Sequence, residues 1–165
     1  MKRNRIKKLI GVLEEVRDQQ PEAFSMDDWF SYINDDDGSK HADVAWLSGN
    51  ITDLTTHSCE TVGCIAGWTL SHFWDDIKKA DAIVPLGPDS IRVDIPRTAG
   101  TYLGLDADQW GYLFHGGWYD GYLDDATVEE ALTELHWMLN ATDQWEQEVL
   151  TYVGEQQAIE GGYHP

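Results

Sequence analysis

At 165 residues, with 30 acidic against 11 basic side chains and a formal net charge of −19, the chain has room for one domain with a sizeable core and a strongly anionic surface. Such a surface repels nucleic acid and anionic membranes, and a hydrophobic fraction of 42% with 8 Trp, 7 Tyr and 4 Phe excludes a disordered acidic tail. Two cysteines exclude a disulfide framework and no secretory signal opens the chain, so reduced thiols and a cytoplasmic location are expected.

Residues 2–20 read as a helix with Ile6, Leu9, Ile10, Leu13 and Val16 on one stripe. Lys2, Arg3, Arg5, Lys7 and Lys8 crowd its start, where positive charge opposes the helix dipole, so the first turn is expected to fray or to dock on an acidic neighbour. Pro21 ends it. Ser25 followed by Asp28 resembles a capping box for a short helix carrying Met26, Trp29, Phe30 and Ile33. The acidic run Asn34 to Ser39 reads as a turn. Placing Gly38 at the sixth position of a calcium loop puts Ile33 first and Val44 twelfth, where carboxylates are required, so a solvated acidic turn is the better reading. In 40–56, Val44, Ala45, Trp46 and Leu47 ask for burial, and Ser48-Gly49-Asn50 reads as a turn.

His57 to Trp74 holds both cysteines. With Thr61 as N-cap, Val62, Ile65, Ala66, Thr69, Leu70 and Phe73 recur at helical spacing, and Val62, Ile65, Ala66 and Leu70 are expected to be nearly buried. Gly63 and Gly67, four apart, would let another backbone approach. Asp75 to Ala80 can extend this helix, and Pro85, Gly87 and Pro88 punctuate a loop. Ser90 to Ile95 alternates as a short strand would, with part of 46–55 as its pairing partner. Pro96 opens a helix through Leu103. Asp106 caps the next, with Trp110, Leu113 and Phe114 on one face before Gly116-Gly117. Thr127 and Glu130 form a capping box for a helix bearing Val128, Ala131, Leu132, Leu135 and Leu139. A last helix starts at Thr142 or Asp143 and carries Trp145, Val149, Tyr152 and Val153. The pattern lapses at Gly154. The expected fold is mainly α: a single compact helical domain (1–165) around a buried central helix at about 61–74, with at most one small β-hairpin and loose ends at 1–8 and 154–165.

Four constellations are candidates for chemistry. His57, Cys59 and Cys64 are zinc-ligand types, with His115 as a fourth ligand from elsewhere, but His72 lies eight residues beyond Cys64, ~12 Å along a helix at 1.5 Å per residue. Buried structural cysteines are preferred, and no metal or cofactor is expected. Cys64 in a first helical turn is also a candidate nucleophile, with His57 or His115 as base, yet Ile65, Ala66 and Trp68 crowd the approach. Trp118, Tyr119 and Tyr122 sit among glycines in 115–125, where Trp118 and Tyr122 read first as core plugs and next as a protein-contact patch. Asp75-Asp76, Asp124-Asp125 and Glu129-Glu130 are adjacent pairs without the spacing of an acid–base couple; on one surface, carboxylates could imitate the phosphate array of DNA.

Met26 to Trp29, Cys59 to Trp68, Leu103-Gly104-Leu105, Leu113-Phe114 and Trp118 together resemble a family of small bacteriophage and bacterial proteins. Its members share a Cys-Gly-Thr-x-x-Cys-x-Ala-Gly signature, from which Glu60 departs where glycine is usual. The resemblance implies a phage-type accessory protein and transfers no catalytic residue. With the acidic body, it leads to the expectation of a non-enzymatic protein that binds and blocks a basic surface of a host protein in the host cytoplasm. The target would be a DNA-binding, restriction or other defence protein, contacted through Asp75, Asp76, Trp118, Tyr119, Tyr122, Asp124, Asp125, Glu129 and Glu130, with no direct nucleic-acid or membrane binding. A homodimer stays open. The alternative is a cysteine-dependent hydrolase or transferase using Cys64.

Overall fold

The computed structural model describes residues 1–26, 31–33, 40–42, 61–62, 64–88, 93–122 and 125–161. Among them, six α-helices carry the architecture: α1 (Arg3–Gln19), α2 (Ile65–Lys79), α3 (Ile95–Leu103), α4 (Ala107–Phe114), α5 (Val128–Asn140) and α6 (Thr142–Gly161). Three short strands, β1 (Ser31–Ile33), β2 (Lys40–Ala42) and β3 (Thr61–Val62), form an antiparallel sheet in the order β2-β1-β3. Ser31 stands opposite both Ala42 and Val62 in that sheet. The result is a compact, mainly helical fold, as its sequence periodicities predict.

The α1 stripe enters the core as read: Ile6, Leu9, Ile10, Leu13 and Val16 are all buried. Fully burying a side chain of this size is worth roughly 1.5–3 kcal/mol, so five of them anchor α1 firmly. Pro21 opens a single 3-10 turn, Pro21–Ala23, which ends the helix direction. α1 packs along α5, while α2 packs mainly on α3 and α4 lies against α6. α2 is the inner helix, because every residue from Ile65 to Ser71 is buried. It kinks at Phe73 (φ −116°, ψ 19°), whose ring stacks on Tyr102 of α3 at 5.7 Å. At the α3–α4 crossing there is no room for a side chain at Gly100, where a Cβ would come within 2.8 Å of Trp110.

Several expectations need correction. The central helix begins at Ile65 and runs to Lys79, not from 61 to 74, because Thr61-Val62 pairs with β1 instead of capping it. Cys64 is the extended N-cap residue and not part of the first turn. The helix read from Ser25 does not include Ile33, which lies in β1 and pairs antiparallel with β2; the turn read over Asn34 to Ser39 lies outside the described residues. Ile95 starts α3 and does not belong to the strand read over Ser90 to Ile95; Val93 makes a bridge to Pro85, and Ser90 to Arg92 lie outside the described residues. That connection is held by Thr98, whose hydroxyl accepts from the Val84 amide (2.9 Å) and donates to its carbonyl (3.3 Å). α6 continues past Gly154 to Gly161, with residues 154–159 exposed. Trp29, Phe30, Val44 to Leu47, His57, Cys59, Gly63 and Asp124 lie outside the described residues.

Candidate functional site

The basic N-terminus has a structural destination. The last carbonyls of a helix lack intrahelical donors and carry the negative end of its dipole. Two such ends, those of α3 and α5, meet the start of α1. Lys2 donates its backbone N–H to the carbonyl of Leu103 at 2.7 Å. Arg5 donates from Nη1 to the carbonyl of Tyr102 at 2.5 Å, and Arg3 donates to the Leu139 carbonyl and to Thr142 Oγ1. The first turn therefore docks, and its partners among the described residues are helix termini and not carboxylates. Arg3, which is exposed, and Arg5, which is half-buried, are thereby held at these helix ends.

The acidic candidates do not converge. Asp75 is exposed and 2.8 Å from Lys78, whose hydrogen bond holds its carboxyl below the usual range. Asp76 is near enough to Tyr102 to raise the phenol's pKa, a shift that burial dominates and Arg5 opposes. It therefore belongs near the start of α1. Glu129 is 3.5 Å from Arg17, at the other end of α1. Arg5 and Arg17 are twelve residues apart, ~18 Å on a helix, so the two acidic groups sit at opposite ends of α1. Glu130 completes the capping box at Thr127, and the Thr127 N–H it accepts lowers its pKa. Asp125 is exposed.

The aromatic loop divides. Trp118 is half-buried and donates from Nε1 to the Leu113 carbonyl at 2.8 Å, with Tyr119 edge-on at 5.8 Å. Tyr122 is 80% exposed, which overturns its reading as a core plug. It is flanked in the chain by the exposed Asp120 and Asp125.

A groove that sequence reasoning missed lies between α4 and α6. It has a volume of about 200 Å³ and is lined by Asp106, Asp108, Gln109, Glu146, Val149 and Leu150. Gln109 joins its two walls: the amide nitrogen donates to Glu146 at 3.3 Å, and the amide oxygen accepts from the Asp106 backbone. Leu150 is 60% exposed at its edge. Asp106 is visible in the sequence as a cap, but its meeting with Glu146 depends on how α6 crosses α4.

Of the proposed cysteine chemistry, only Cys64 and His115 are described. Cys64 is fully buried, and His115 is exposed at the C-cap of α4, its ring 5.9 Å from Trp110. Burial lowers the His115 pKa and Asp94 partly opposes that. Of the zinc trio His57, Cys59 and Cys64, only Cys64 is described, and among the described residues no three His, Cys, Asp or Glu side chains are grouped to hold a metal. No described helix is long and apolar enough to cross a membrane.

Compared with known proteins, the chain matches no family model, no curated protein and no solved structure.

Proposed function

We propose that this chain is a non-enzymatic, strongly acidic accessory protein of the phage type, one that occupies and blocks a basic surface on a host protein. A DNA-binding, restriction or other defence protein is the natural target, and imitation of DNA is one form the blockade takes. The observation that carries this reading is the allocation of charge. Arg3 and Arg5 are bound to helix-terminal carbonyls, while Asp108, Asp120, Asp125, Asp143, Glu146 and Glu148 stand exposed. Among the described residues the ion pairs are few and involve Arg17, Lys78 and Arg97. Unneutralised carboxylates on a compact body steer basic partners to it quickly, and Tyr122 supplies an exposed aromatic anchor.

The full burial of Cys64 favours this reading over a cysteine enzyme, which needs an open approach to its nucleophile. The test is affinity capture from a bacterial lysate at ~150 mM salt, where the screening length is ~8 Å. Basic nucleic-acid-handling proteins should be retained and should be displaced by added duplex DNA. Recovery of nothing, or of neutral metabolic enzymes alone, overturns the proposal.

A further inference from the structure

Helix α5 directs a carboxylate into the core. Glu134 shares the inward stripe with Ala131, Leu135 and Met138 and is only 7% exposed. Its Oε1 accepts the indole N–H of Trp145 at 2.6 Å, and Trp145 is fully buried on α6. The bond thus ties two helices together from inside. Tyr112 of α4 backs it, edge-on to Trp145 at 5.8 Å and to Tyr152 of α6 at 5.5 Å.

The charges around Glu134 are of one sign. Glu148 faces it from α6, and Tyr112 of α4 feels both carboxylates. The arginines of α1, which packs along α5, are engaged elsewhere: Arg3 with Leu139 and Thr142, Arg5 with Tyr102, and Arg17 with Asp18 and Glu129. No described cation pairs with Glu134. A neutral carboxyl group is tolerated in such a place. An ionised one loses its hydration and meets the field of Glu148, which a single hydrogen bond from Trp145 only partly offsets.

We propose that Glu134 and Trp145 form a proton-operated latch between α5 and α6, closed while Glu134 is protonated and released when it ionises. Burial, helped by Glu148 and opposed by the Trp145 bond, pushes the carboxyl up to about 7, so the latch works near neutral pH. Val149 and Leu150, on the helix that is freed, form one wall of the α4–α6 groove, so release also reshapes that groove.

The test uses the full chain with ¹⁵N-labelled tryptophan, the Trp145 indole signal being identified by its loss in Trp145→Phe. From pH ~5.5 to ~8.5 this signal should titrate with a midpoint near the value burial imposes, and Glu134→Gln, which keeps the acceptor oxygen, should abolish the titration. Hydrogen exchange of α6 amides, corrected for intrinsic rate, should speed up at least ~10-fold between pH 6 and 8 in the native chain and not in Glu134→Gln. Should that variant not fold, Glu148→Gln must lower the native midpoint. A Trp145 signal that ignores pH, that titrates alike in Glu134→Gln, or that keeps its midpoint in Glu148→Gln overturns the latch, as does pH-independent exchange of α6.

Discussion

Arg5 grips Tyr102 at two places. Its guanidinium carbon lies 4.2 Å above the Tyr102 ring centroid, and its Nη1 donates to the same residue's carbonyl at 2.5 Å. One side chain thus covers an aromatic face and neutralises the C-terminal end of α3. A cation over a ring and a charge-assisted hydrogen bond each contribute about 0.5–2 kcal/mol. Arg5→Ala should therefore cost about 1–3 kcal/mol in urea unfolding. Arg5→Met, which keeps the stem, should recover part of that loss. A neutral Arg5→Ala would mean that the α1 start is not what ties α3 in place.

Gly104 should be intolerant of a side chain for two independent reasons. It closes α3 in the left-handed conformation at φ +73°, and a Cβ there would come within 2.8 Å of Lys2 Cγ. Gly104→Ala should destabilise by about 1–2 kcal/mol. Gly11, inside α1, is the matched control, because a Cβ there would meet nothing within 4 Å. Gly11→Ala should be neutral or stabilising by up to ~1 kcal/mol, so equal thermal shifts in the two variants would contradict the geometry.

Much of this fold is legible in the sequence because local chemistry sets it. The capping boxes at Asp106 with Gln109 and at Thr127 with Glu130 start α4 and α5 at their expected positions. The stripe from Ile6 to Val16 reports its own burial. What sequence hides is decided by distant partners. Thr61 looks like a helix cap, but β1, some thirty residues earlier, recruits it into a strand. The basic start of α1 looks like a liability until the ends of α3 and α5 arrive to use it. Glu134 leaves a trace, a carboxylate on the apolar stripe between Ala131 and Met138, but its acceptor role depends on Trp145. The acidic candidates are legible as exposed charges, whereas their separation along α1 is not.

The stability of the protein should fall as pH rises toward neutral, with Glu134 responsible for a definite share. The folded state raises this carboxyl from its ordinary 4.5 to about 7, so it binds the proton more tightly than the unfolded chain. Its stabilising effect is complete below the unfolded pKa and is lost between there and the folded pKa. At ~1.4 kcal/mol per unit, the loss is at most ~3.5 kcal/mol. Urea midpoints at pH 5 and 8 should differ less in Glu134→Gln than in the native chain. Identical differences in both would remove Glu134 from the explanation.

Cys64 should resist alkylation in the native state. It is fully buried at the start of α2, so iodoacetamide at pH 7 should reach it only after local opening. Labelling should rise by orders of magnitude in denaturant. Rapid native labelling of Cys64 at pH 6 would mark an activated thiolate and favour the enzyme reading.

Whether exposed carboxylates of this chain hold a basic partner is decided by calorimetric titration of a captured host protein at ~50, ~150 and ~400 mM salt. The comparison is with a variant carrying Asp120→Asn, Asp125→Asn and Glu146→Gln, three exposed sites outside the described ion pairs. The native chain should lose affinity steadily with salt, and the neutralised variant should bind at least ~10-fold more weakly at ~150 mM, a difference of ~1.4 kcal/mol. Affinity that is indifferent to salt and equal in the two proteins would contradict it.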